Sequence, residues 1–411
     1  MIEQISSLRT GIKYKDTPIG KIPVDWEVVS LSNVSDINMG QSPPSKDCGE
    51  EAKGLPFYQG NAEFGSKYPT PQKWCNMPMK IANTGDILIS VRAPVGEINI
   101  TPHKCCIGRG LAAVTARTVP AEFLHYSLLF HRKSLQKVAQ GSTFEAINKN
   151  ELSELLIFLP SFSEQKKIAE ILMIVDEAIE KTTEIIENEK EVKKGLMQTL
   201  LTRGIGHKRY KRTEIGEIPE EWEVGEISDF GEIMTGNTPA TNLPQYYGDE
   251  YPFVSPSDLG NRRIIKRTEK YLSKEGFAVA RAIPANSVLV VCIGSTIGKT
   301  GIAGTESATN QQINSVICKN SDYSFVYYYL TFITPKFKQL AGTQAVPILN
   351  KGNFSTVKVA IPPLLEQKRI GGVLSSIDGA MEEESDHKEQ LESLKKGLMQ
   401  VLLAGKVRVR T

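Results

Sequence analysis

Apolar residues recur at alternating intervals of three and four over two long segments of the chain. Residues 164–203 contain no proline and a single glycine, Gly195. Their apolar positions include Ile168, Leu172, Val175, Ile179, Ile186, Leu196 and Leu200, and residues 366–404 repeat the register from Ile370 to Leu402. This periodicity predicts two amphipathic helices, each about 60 Å long.

A helix of this length with one apolar stripe needs a partner that covers the stripe. The repeated register favours an antiparallel coiled coil between the two helices, and the alternative is that each helix packs along its own domain. Thr182 and Glu189 interrupt the first stripe, whereas Glu384 and His387 interrupt the second. Such polar residues could set the register or leave the centre of the coiled coil partly hydrated.

Short β-like runs and one helix-like stretch precede each long helix in the same order. The runs lie at 86–91, 111–115 and 155–159 in the first half and at 288–293, 313–318 and 357–361 in the second. The helix-like stretches lie at about 121–139 and 323–340. Glycine, proline and small polar residues fill the connections. The pattern predicts an α+β fold with two similar mixed α/β domains.

The two halves are copies of one unit of about 200 residues. GKIPVDWEV (20–28) returns as GEIPEEWEV (216–224), LPSFSEQKKIAEILMIVD (159–176) as IPPLLEQKRIGGVLSSID (361–378), and KKGLMQ occurs at 193–198 and 395–400. Between these motifs the copies diverge, as in 58–74 and 253–272. Constant ends with variable middles indicate one scaffold that carries two different binding surfaces.

The repeat also relates the two ends of the chain. Residues 11–20 are similar to the end of the segment 203–216 that follows the first long helix. The chain therefore begins with the kind of segment that should follow the second helix. We expect the termini to lie close together, in a circular arrangement with an approximate two-fold axis.

The net charge of +2 hides an uneven distribution. Segments 164–203 and 366–404 hold 17 of the 47 acidic and 12 of the 49 basic residues, so the remainder carries an excess of seven positive charges. Basic domains joined by acidic helices are expected when the domains contact a polyanion and the helices do not.

Composition and cysteine spacing exclude several classes of protein. A hydrophobic fraction of 40% and a charged fraction of 23% are typical of soluble globular proteins. No apolar run approaches the roughly 18 residues of a membrane helix. The six cysteines show no CxxC spacing and no companion histidine cluster. We therefore expect no zinc site, ordinary buried thiols and a cytoplasmic location.

Amide and basic side chains are concentrated in the polar connections of both domains. Arginine can bind guanine bidentately, and asparagine or glutamine can bind adenine, whereas lysine positions phosphates. The candidate DNA-binding residues are Gln59, Asn61, Arg92, Lys104, Arg109, Asn148 and Lys149 in the first half and Ser257, Arg262, Arg263, Lys299, Asn310, Gln311, Asn350 and Lys351 in the second.

Two motifs that suggest catalysis do not withstand inspection. Residues 294–300, GSTIGKT, are one residue shorter than a phosphate-binding loop, and the first half has no lysine at the equivalent place. The repeated Glu-Gln-Lys at 164–166 and 366–368 opens a helix, where an acidic first turn is ordinary. No nucleophile, base and orienting group are assembled by any motif, so we expect no enzymatic activity in this chain.

The repeated motifs resemble those of the specificity subunits of type I restriction-modification enzymes over nearly the whole chain. The resemblance implies two target recognition domains, at 1–160 and 205–362, and two spacer helices, at 161–204 and 363–411, the latter with the C-terminal tail. It also implies binding of double-stranded DNA, two adenine methyltransferase (modification) subunits and translocase-nuclease (restriction) subunits. S-adenosylmethionine, ATP and magnesium would bind to those partners. No cofactor would bind to this chain. The alternative function is a coiled-coil scaffold that organises proteins without reading DNA.

Overall fold

The computed structural model describes residues 13–140, 146–260, 262–342 and 346–409. The chain divides into two compact units: the first contains the residues up to Thr182 and those from His387 onward, and the second is Thr183–Asp386. Each long helix crosses a boundary and so contributes to both units. The domain boundaries inferred from the sequence place each helix in a segment of its own, and they stay a prediction.

The described part of the first unit contains two sheets and two shorter strand pairs. Its central sheet is antiparallel, with the spatial order Ile98–Ile100, Ile87–Ser90, Leu111–Ala116 and Ser35–Met39. Its second sheet is mixed, with the order Cys48–Gly49, Lys73–Cys75, Leu55–Tyr58, Cys105–Ile107 and Ile81–Ala82. The antiparallel pairs are Tyr14–Thr17 with Gly20–Pro23 and Glu27–Ser30 with Leu156–Leu159. The short helices are Leu31–Val34, Ala121–Phe130, Arg132–Gln140 and Lys149–Ser153.

The described part of the second unit repeats this arrangement. Its central sheet has the order Gly231–Thr235, Ile313–Cys318, Val288–Val291, Thr300–Ala303 and Ile264–Ile265. Its second sheet has the order Tyr247–Gly248, Lys270–Leu272, Tyr251–Val254, Ser307–Thr309 and Ala282–Ile283. The strand pairs are Tyr210–Thr213 with Gly216–Pro219 and Glu223–Glu226 with Lys358–Ile361. The short helices are Ile227–Phe230, Lys274–Val279, Tyr323–Phe332, Thr334–Ala341 and Lys351–Ser355.

The order of elements confirms the prediction of two similar α+β domains. The second unit adds the strand Ile264–Ile265, which pairs in parallel with Thr300–Ala303. The single helix-like stretch expected before the last strand is two helices in each unit, a correction to the sequence interpretation. In the second unit the new helix starts at Thr334 with Pro335 in its first turn. Because proline has no N–H to donate, it interrupts a continuing helix and suits the start of a new one.

Both faces of each central sheet are buried, which explains the uninterrupted apolar runs. Successive side chains of a strand point to opposite faces. Ile87 and Ile89 therefore face the core formed with the helices, while Leu88 faces the second sheet together with Tyr58 and Ile107. In the second unit Val288 and Val290 face the helices and Leu289 and Val291 face the second sheet. Each domain is thus a stack of helices, central sheet and second sheet.

The two long helices are Phe162–Arg203 and Leu364–Leu402. In the first unit Ile168 and Leu172 share a core with Leu398 and Leu402. Asp176 forms an ion pair with Lys395 at 2.6 Å, and Glu164 forms one with Arg408 at 2.7 Å. Residue numbers therefore rise from Glu164 to Asp176 on one segment while those of their partners fall from Arg408 to Lys395. The two helices run antiparallel in this unit, as the sequence predicts.

The second unit contains the equivalent antiparallel contact. Asp378 forms an ion pair with Lys193 at 2.5 Å. Glu366 accepts hydrogen bonds from the backbone N–H of Ile205 and contacts His207 Nε2, both at 2.9 Å. Leu196 and Leu200 pack against the core that contains Ile370 and Leu374. The same helix faces are therefore used in both units.

A buried tryptophan joins the start of each long helix to the domain before it. Trp26 Nε1 donates to Glu164 at 2.9 Å, and Trp222 Nε1 donates to Glu366 at the same distance. Arg408, from the C-terminal tail, completes the first junction by binding both Glu164 and Asp25. The guanidinium of Arg408 lowers the pKa of the Asp25 carboxyl. These glutamates stabilise the fold through side-chain contacts, beyond the helix-dipole role that their position in the first turn suggests.

The two ends of the described chain lie together in the first unit. Tyr14 Oη donates to the carbonyl oxygen of Gly405 at 3.3 Å. The equivalent Tyr210 donates to the carbonyl oxygen of His207, in the segment after the first long helix. In the first unit the C-terminal tail thus occupies the position that the segment after the first long helix occupies in the second unit. This confirms the prediction that the terminal segments meet.

Candidate nucleic-acid interface

Three polar side chains from separate loops meet in the first unit, and we call them the first loop cluster (Ser42, Gln59 and Arg109). The Ser42 hydroxyl oxygen accepts from Gln59 Nε2 at 2.9 Å and from Arg109 Nε at 3.3 Å. The strands Leu55–Tyr58 and Cys105–Ile107 are parallel neighbours, so the residues that follow them emerge at the same edge. Gln59 and Arg109 are exposed. The sheet therefore presents an amide and a guanidinium side by side at one surface.

Glycines allow these loops to approach so closely. A Cβ atom at Gly40 would overlap the carbonyl oxygen of Gly108. A Cβ atom at Gly108 would lie 2.8 Å from Gln59 Oε1, closer than real Cβ atoms come to other atoms. The backbone N–H of Gly40 donates to Leu111 at 2.8 Å, which ties the loop ends together. The position of Arg109 and Gln59 is thus set by backbone packing as well as by Ser42.

The equivalent loops of the second unit form the second loop cluster (Thr238, Asn310 and Gln311). Thr238 Oγ1 donates to Gln311 Oε1 at 2.6 Å. Asn310 is held by Gln312, since Asn310 Nδ2 donates to Gln312 Oε1 at 3.1 Å and the N–H of Gln312 donates back to Asn310 Oδ1 at 3.0 Å. Gln311 is exposed and Asn310 is half-buried.

The strand registers show that these two clusters are equivalent. Tyr58 pairs with Ile107 as Val254 pairs with Thr309, so Arg109 and Gln311 both stand two residues beyond the parallel pair. In each unit a hydroxyl group from the loop after the edge strand of the central sheet holds the long polar side chain. The scaffold is constant, and the chemical group that it presents differs.

The remaining candidates of the first half lie on several loops. Lys104 is exposed directly before Cys105–Ile107, and Arg92 is exposed beyond Ile87–Ser90, where it bridges to Ala146. Asn61 is half-buried at the start of the short 3-10 helix Asn61–Glu63. Their role in DNA binding stays a prediction.

Two of the predicted asparagines cap helices. Asn148 Oδ1 accepts from the N–H groups of Asn150 and Glu151 at the start of Lys149–Ser153. Asn350 Oδ1 accepts from the N–H of Asn353 at the start of Lys351–Ser355. Capping explains asparagine at both positions without any DNA contact. Lys149 and Lys351 are exposed in the first turns of these helices.

Arg262 and Arg263 contact the second long helix. Arg262 forms an exposed ion pair with Asp386 at 3.0 Å, and Arg263 donates to Ser375 Oγ at 2.7 Å. They line a cleft of about 320 Å³ within this unit together with Lys190 and Lys193. The structure therefore does not bring these two arginines into the second loop cluster.

Ser257 and Lys299 are near the loop Pro256–Gly260 of the second unit. Ser257 is exposed and donates to Glu269 at 3.3 Å, while the Lys299 side chain is half-buried against Gly260. The motif lies almost entirely in the segment 292–299, which connects the antiparallel strands Val288–Val291 and Thr300–Ala303. A phosphate-binding loop leads from a strand into a helix, so this topology argues against nucleotide binding there.

Sequence reasoning missed two groups of residues in which a tyrosine, an aspartate and a lysine meet. Tyr126 donates to Asp176 at 2.7 Å, and Lys395 binds the other oxygen of that carboxylate. Tyr328 donates to Asp378 at 2.6 Å, and Lys193 completes the second group. The repeat contains a signal for both groups, because Asp176 recurs as Asp378, and Lys193 and Lys395 each begin a copy of KKGLMQ.

The cysteines have the character expected of unreactive thiols. Cys75, Cys105, Cys106 and Cys292 are buried, and Cys48 and Cys318 are half-buried. Burial raises the pKa of Cys48 to about 11 and that of Cys106 to about 12. Among the described residues no group of histidine, cysteine and acidic side chains has a geometry that could hold a metal ion. Within those residues, no helix is both long and apolar enough to cross a membrane.

Comparison with known proteins assigns the same domain to both halves. Residues 23–189 and 219–393 each match the family described as type I restriction modification DNA specificity domain. The putative type I restriction enzyme MjaX specificity subunit of Methanocaldococcus jannaschii is 45% identical over 193 residues, which cover 46% of this chain and 45% of that protein. The type I restriction enzyme MjaVIII specificity subunit of the same organism is 29% identical over 412 residues, 95% of both chains.

A solved structure has the same fold. The crystal structure of the S subunit of the type I restriction-modification system of M. genitalium matches with a TM-score of 0.64. The match covers 92% of this chain and 96% of that one, at 14% sequence identity.

Proposed function

Because this chain belongs to the type I restriction modification DNA specificity family, we propose that it reads one DNA site in two halves, with one loop cluster for each half. The observation that carries this proposal is the equivalence of the two clusters. Both place exposed polar side chains at the same strand ends, held by a hydroxyl group, while the side chains themselves differ. Two equivalent loop clusters that present different side chains are suited to two half-sites of different sequence.

The side chains suggest which bases each cluster favours. Arg109 carries a guanidinium, which donates two parallel hydrogen bonds to the major-groove edge of guanine. Gln59 and Gln311 carry amides, which match adenine. Exposed Lys104, Lys149 and Lys351 supply positive charge for phosphates, which fixes position without reading sequence.

Changing one cluster should alter the reading of one half-site alone. We expect Arg109→Ala to cost about 1–3 kcal/mol of binding and to relax the preference at one base pair. Gln311→Ala should do the same in the other half-site. Binding of the full chain to duplexes with single base-pair changes measures both effects.

Arg117→Ala is a matched control for Arg109→Ala. Arg117 is also exposed, but it follows the strand Leu111–Ala116, whereas Arg109 precedes that strand, and it binds Asp36. Its loss removes the same charge and should leave base preference unchanged. If Arg109→Ala and Gln311→Ala weakened binding to all duplexes equally, or to none, the clusters would not read bases. That result would favour the alternative of a scaffold without sequence-specific reading.

We further propose that two modification subunits dock on the long helices. Phe162 and Leu364 occupy equivalent first positions of the two helices and are 53% and 43% exposed. Because the two residues are equivalent in the repeat, one kind of partner could contact the chain at both helix starts. S-adenosylmethionine would then bind the modification subunits, and ATP with magnesium the restriction subunits, so that this chain supplies sequence recognition and the partners supply the chemistry.

Replacement of these apolar residues should change the stoichiometry of the complex. Phe162→Asp or Leu364→Asp alone is expected to leave one tightly bound modification subunit, and the double variant should bind none. Native mass spectrometry of the assembled complex counts the subunits. Val24→Asp, at an exposed valine in the turn after Gly20–Pro23, is a control that should retain two subunits. Retention of two subunits by the double variant would place the docking surface elsewhere.

A further inference from the structure

A charged group is buried where the first domain meets both long helices, and we call it the first lock (Tyr126, Asp176 and Lys395). The side chains of Asp176 and Lys395 are only 12% and 25% exposed. Lys395 Nζ also lies 5.7 Å from the centre of the Tyr126 ring. Burial and the bond to Asp176 raise the pKa of Tyr126, so its hydroxyl remains a donor. One residue comes from the domain and one from each long helix, so the lock connects all three elements.

The second unit contains the same arrangement, the second lock (Tyr328, Asp378 and Lys193). The side chains of Asp378 and Lys193 are 10% and 23% exposed. Lys193 Nζ lies 5.5 Å from the centre of the Tyr328 ring. The roles of the helices are exchanged, because here the second long helix supplies the aspartate and the first supplies the lysine. Each long helix therefore supplies an aspartate to one lock and a lysine to the other.

The physical effect of such a group differs from that of the apolar stripe around it. Leucine and isoleucine side chains pack against one another in more than one register, whereas a buried polar group is satisfied in one alignment only. A shift of one helical turn moves the lysine by about 5.4 Å relative to the aspartate. The largely buried aspartate would then lose the positive charge that compensates it, which is unfavourable.

We propose that the two locks determine the length of the DNA spacer that the protein accepts, because they fix the register of the helix pair and the seat of each domain on it. This inference rests on the proposed reading of a two-part site. A fixed register leaves each domain only one place on the helix pair. A helix pair that can shift by a turn would accept half-sites at more than one separation.

Removal of both lysine charges tests the proposal. Lys193→Met combined with Lys395→Met keeps the aliphatic stems and removes the two ammonium groups. The preference for the best spacer over a spacer one base pair longer is expected to fall by about tenfold, a moderate coupling for residues in contact. Discrimination between correct and altered half-sites should stay at the wild-type level. A loss of stability alone would lower binding to every duplex by the same factor.

The repeated motif offers a control with the same change of charge. Lys194 and Lys396 directly follow the lock lysines and are exposed. Lys194→Met combined with Lys396→Met should therefore keep the wild-type spacer preference. Tyr126→Phe with Tyr328→Phe removes only two hydroxyl groups and provides a milder variant if the methionine variant does not fold, as judged by thermal melting. We expect it to broaden spacer acceptance in the same direction, by a smaller factor.

The outcomes separate the inference from the function on which it rests. Wild-type spacer preference in folded lock variants would overturn the role of the locks and leave two-part reading intact. Absence of any spacer preference in the unaltered protein would overturn the proposed function and, with it, this inference. A tenfold loss in the lock variant with an unchanged control supports both.

Discussion

Replacing residues 41–110 with the corresponding segment of a relative is expected to change one half of the DNA site and to leave the other half as it was. The segment contains Gln59 and Arg109, and its ends meet in the structure because the N–H of Gly40 donates to the carbonyl of Leu111. A graft with these ends leaves the flanking strands and both long helices unchanged. Since each mismatched base pair costs about 1–3 kcal/mol, loss of a half-site of several pairs should lower binding to the original duplex by about a thousandfold or more.

The second unit provides the reciprocal exchange. The N–H of Gly236 donates to the carbonyl of Ile313 at 3.1 Å, so residues 237–312 can be exchanged between equivalent ends. This graft should change the other half-site only. Selection of bound duplexes from a pool with both half-sites randomised measures the two results. A graft that altered both half-sites would show that the domains do not read independently.

Lengthening both long helices together is expected to lengthen the accepted spacer by one or two base pairs. The suitable positions are after Thr182 and after Asp386, where each long helix passes from one unit to the other. Four residues add about 6 Å and slightly more than one helical turn, so the apolar stripe stays on nearly the same face. Base pairs are spaced by about 3.4 Å along the duplex. A series of duplexes that differ only in spacer length measures the change.

Two controls follow from helix geometry. Two residues at the same places rotate the following helix by about 200°, which moves the apolar stripe to the opposite face and should abolish two-part binding. Insertion of four residues into one helix alone makes the two helices differ in length between the two locks. This variant should have a lower melting temperature. If the paired four-residue insertion left the spacer preference unchanged, flexible segments rather than the helices would set the separation.

The duplicated motifs were sufficient to predict the scaffold. The sequence predicts the long helices at 164–203 and 366–404, and the structure has them at Phe162–Arg203 and Leu364–Leu402. Their periodicity extends over many turns, which makes such segments the most reliable to predict. The sequence does not predict the second sheets, because strands such as Ile81–Ala82 are too short to show an alternation of apolar and polar residues.

The candidate site was predictable by chemical type and only partly by position. Asn148 stands three residues before Glu151, a capping-box spacing that the sequence already contains. Arg262 and Arg263 are far in sequence from Asp386 and Ser375, so nothing local indicates that they bind the helix. The role of Ser42 cannot be predicted from its neighbours in sequence, because it depends on the parallel strands that place Gln59 beside Arg109. Contacts between distant segments depend on tertiary packing, which local patterns do not encode.

Selection of duplexes from a fully random pool by the unaltered protein shows whether it reads one DNA site in two halves. Bound duplexes should share two short defined blocks separated by a spacer of fixed length and unspecified sequence. Binding should also weaken steeply with salt, because basic domains release counterions from phosphates. Enrichment of one uninterrupted block, or retention of duplexes without any shared sequence, would show that the protein does not read a site in two halves.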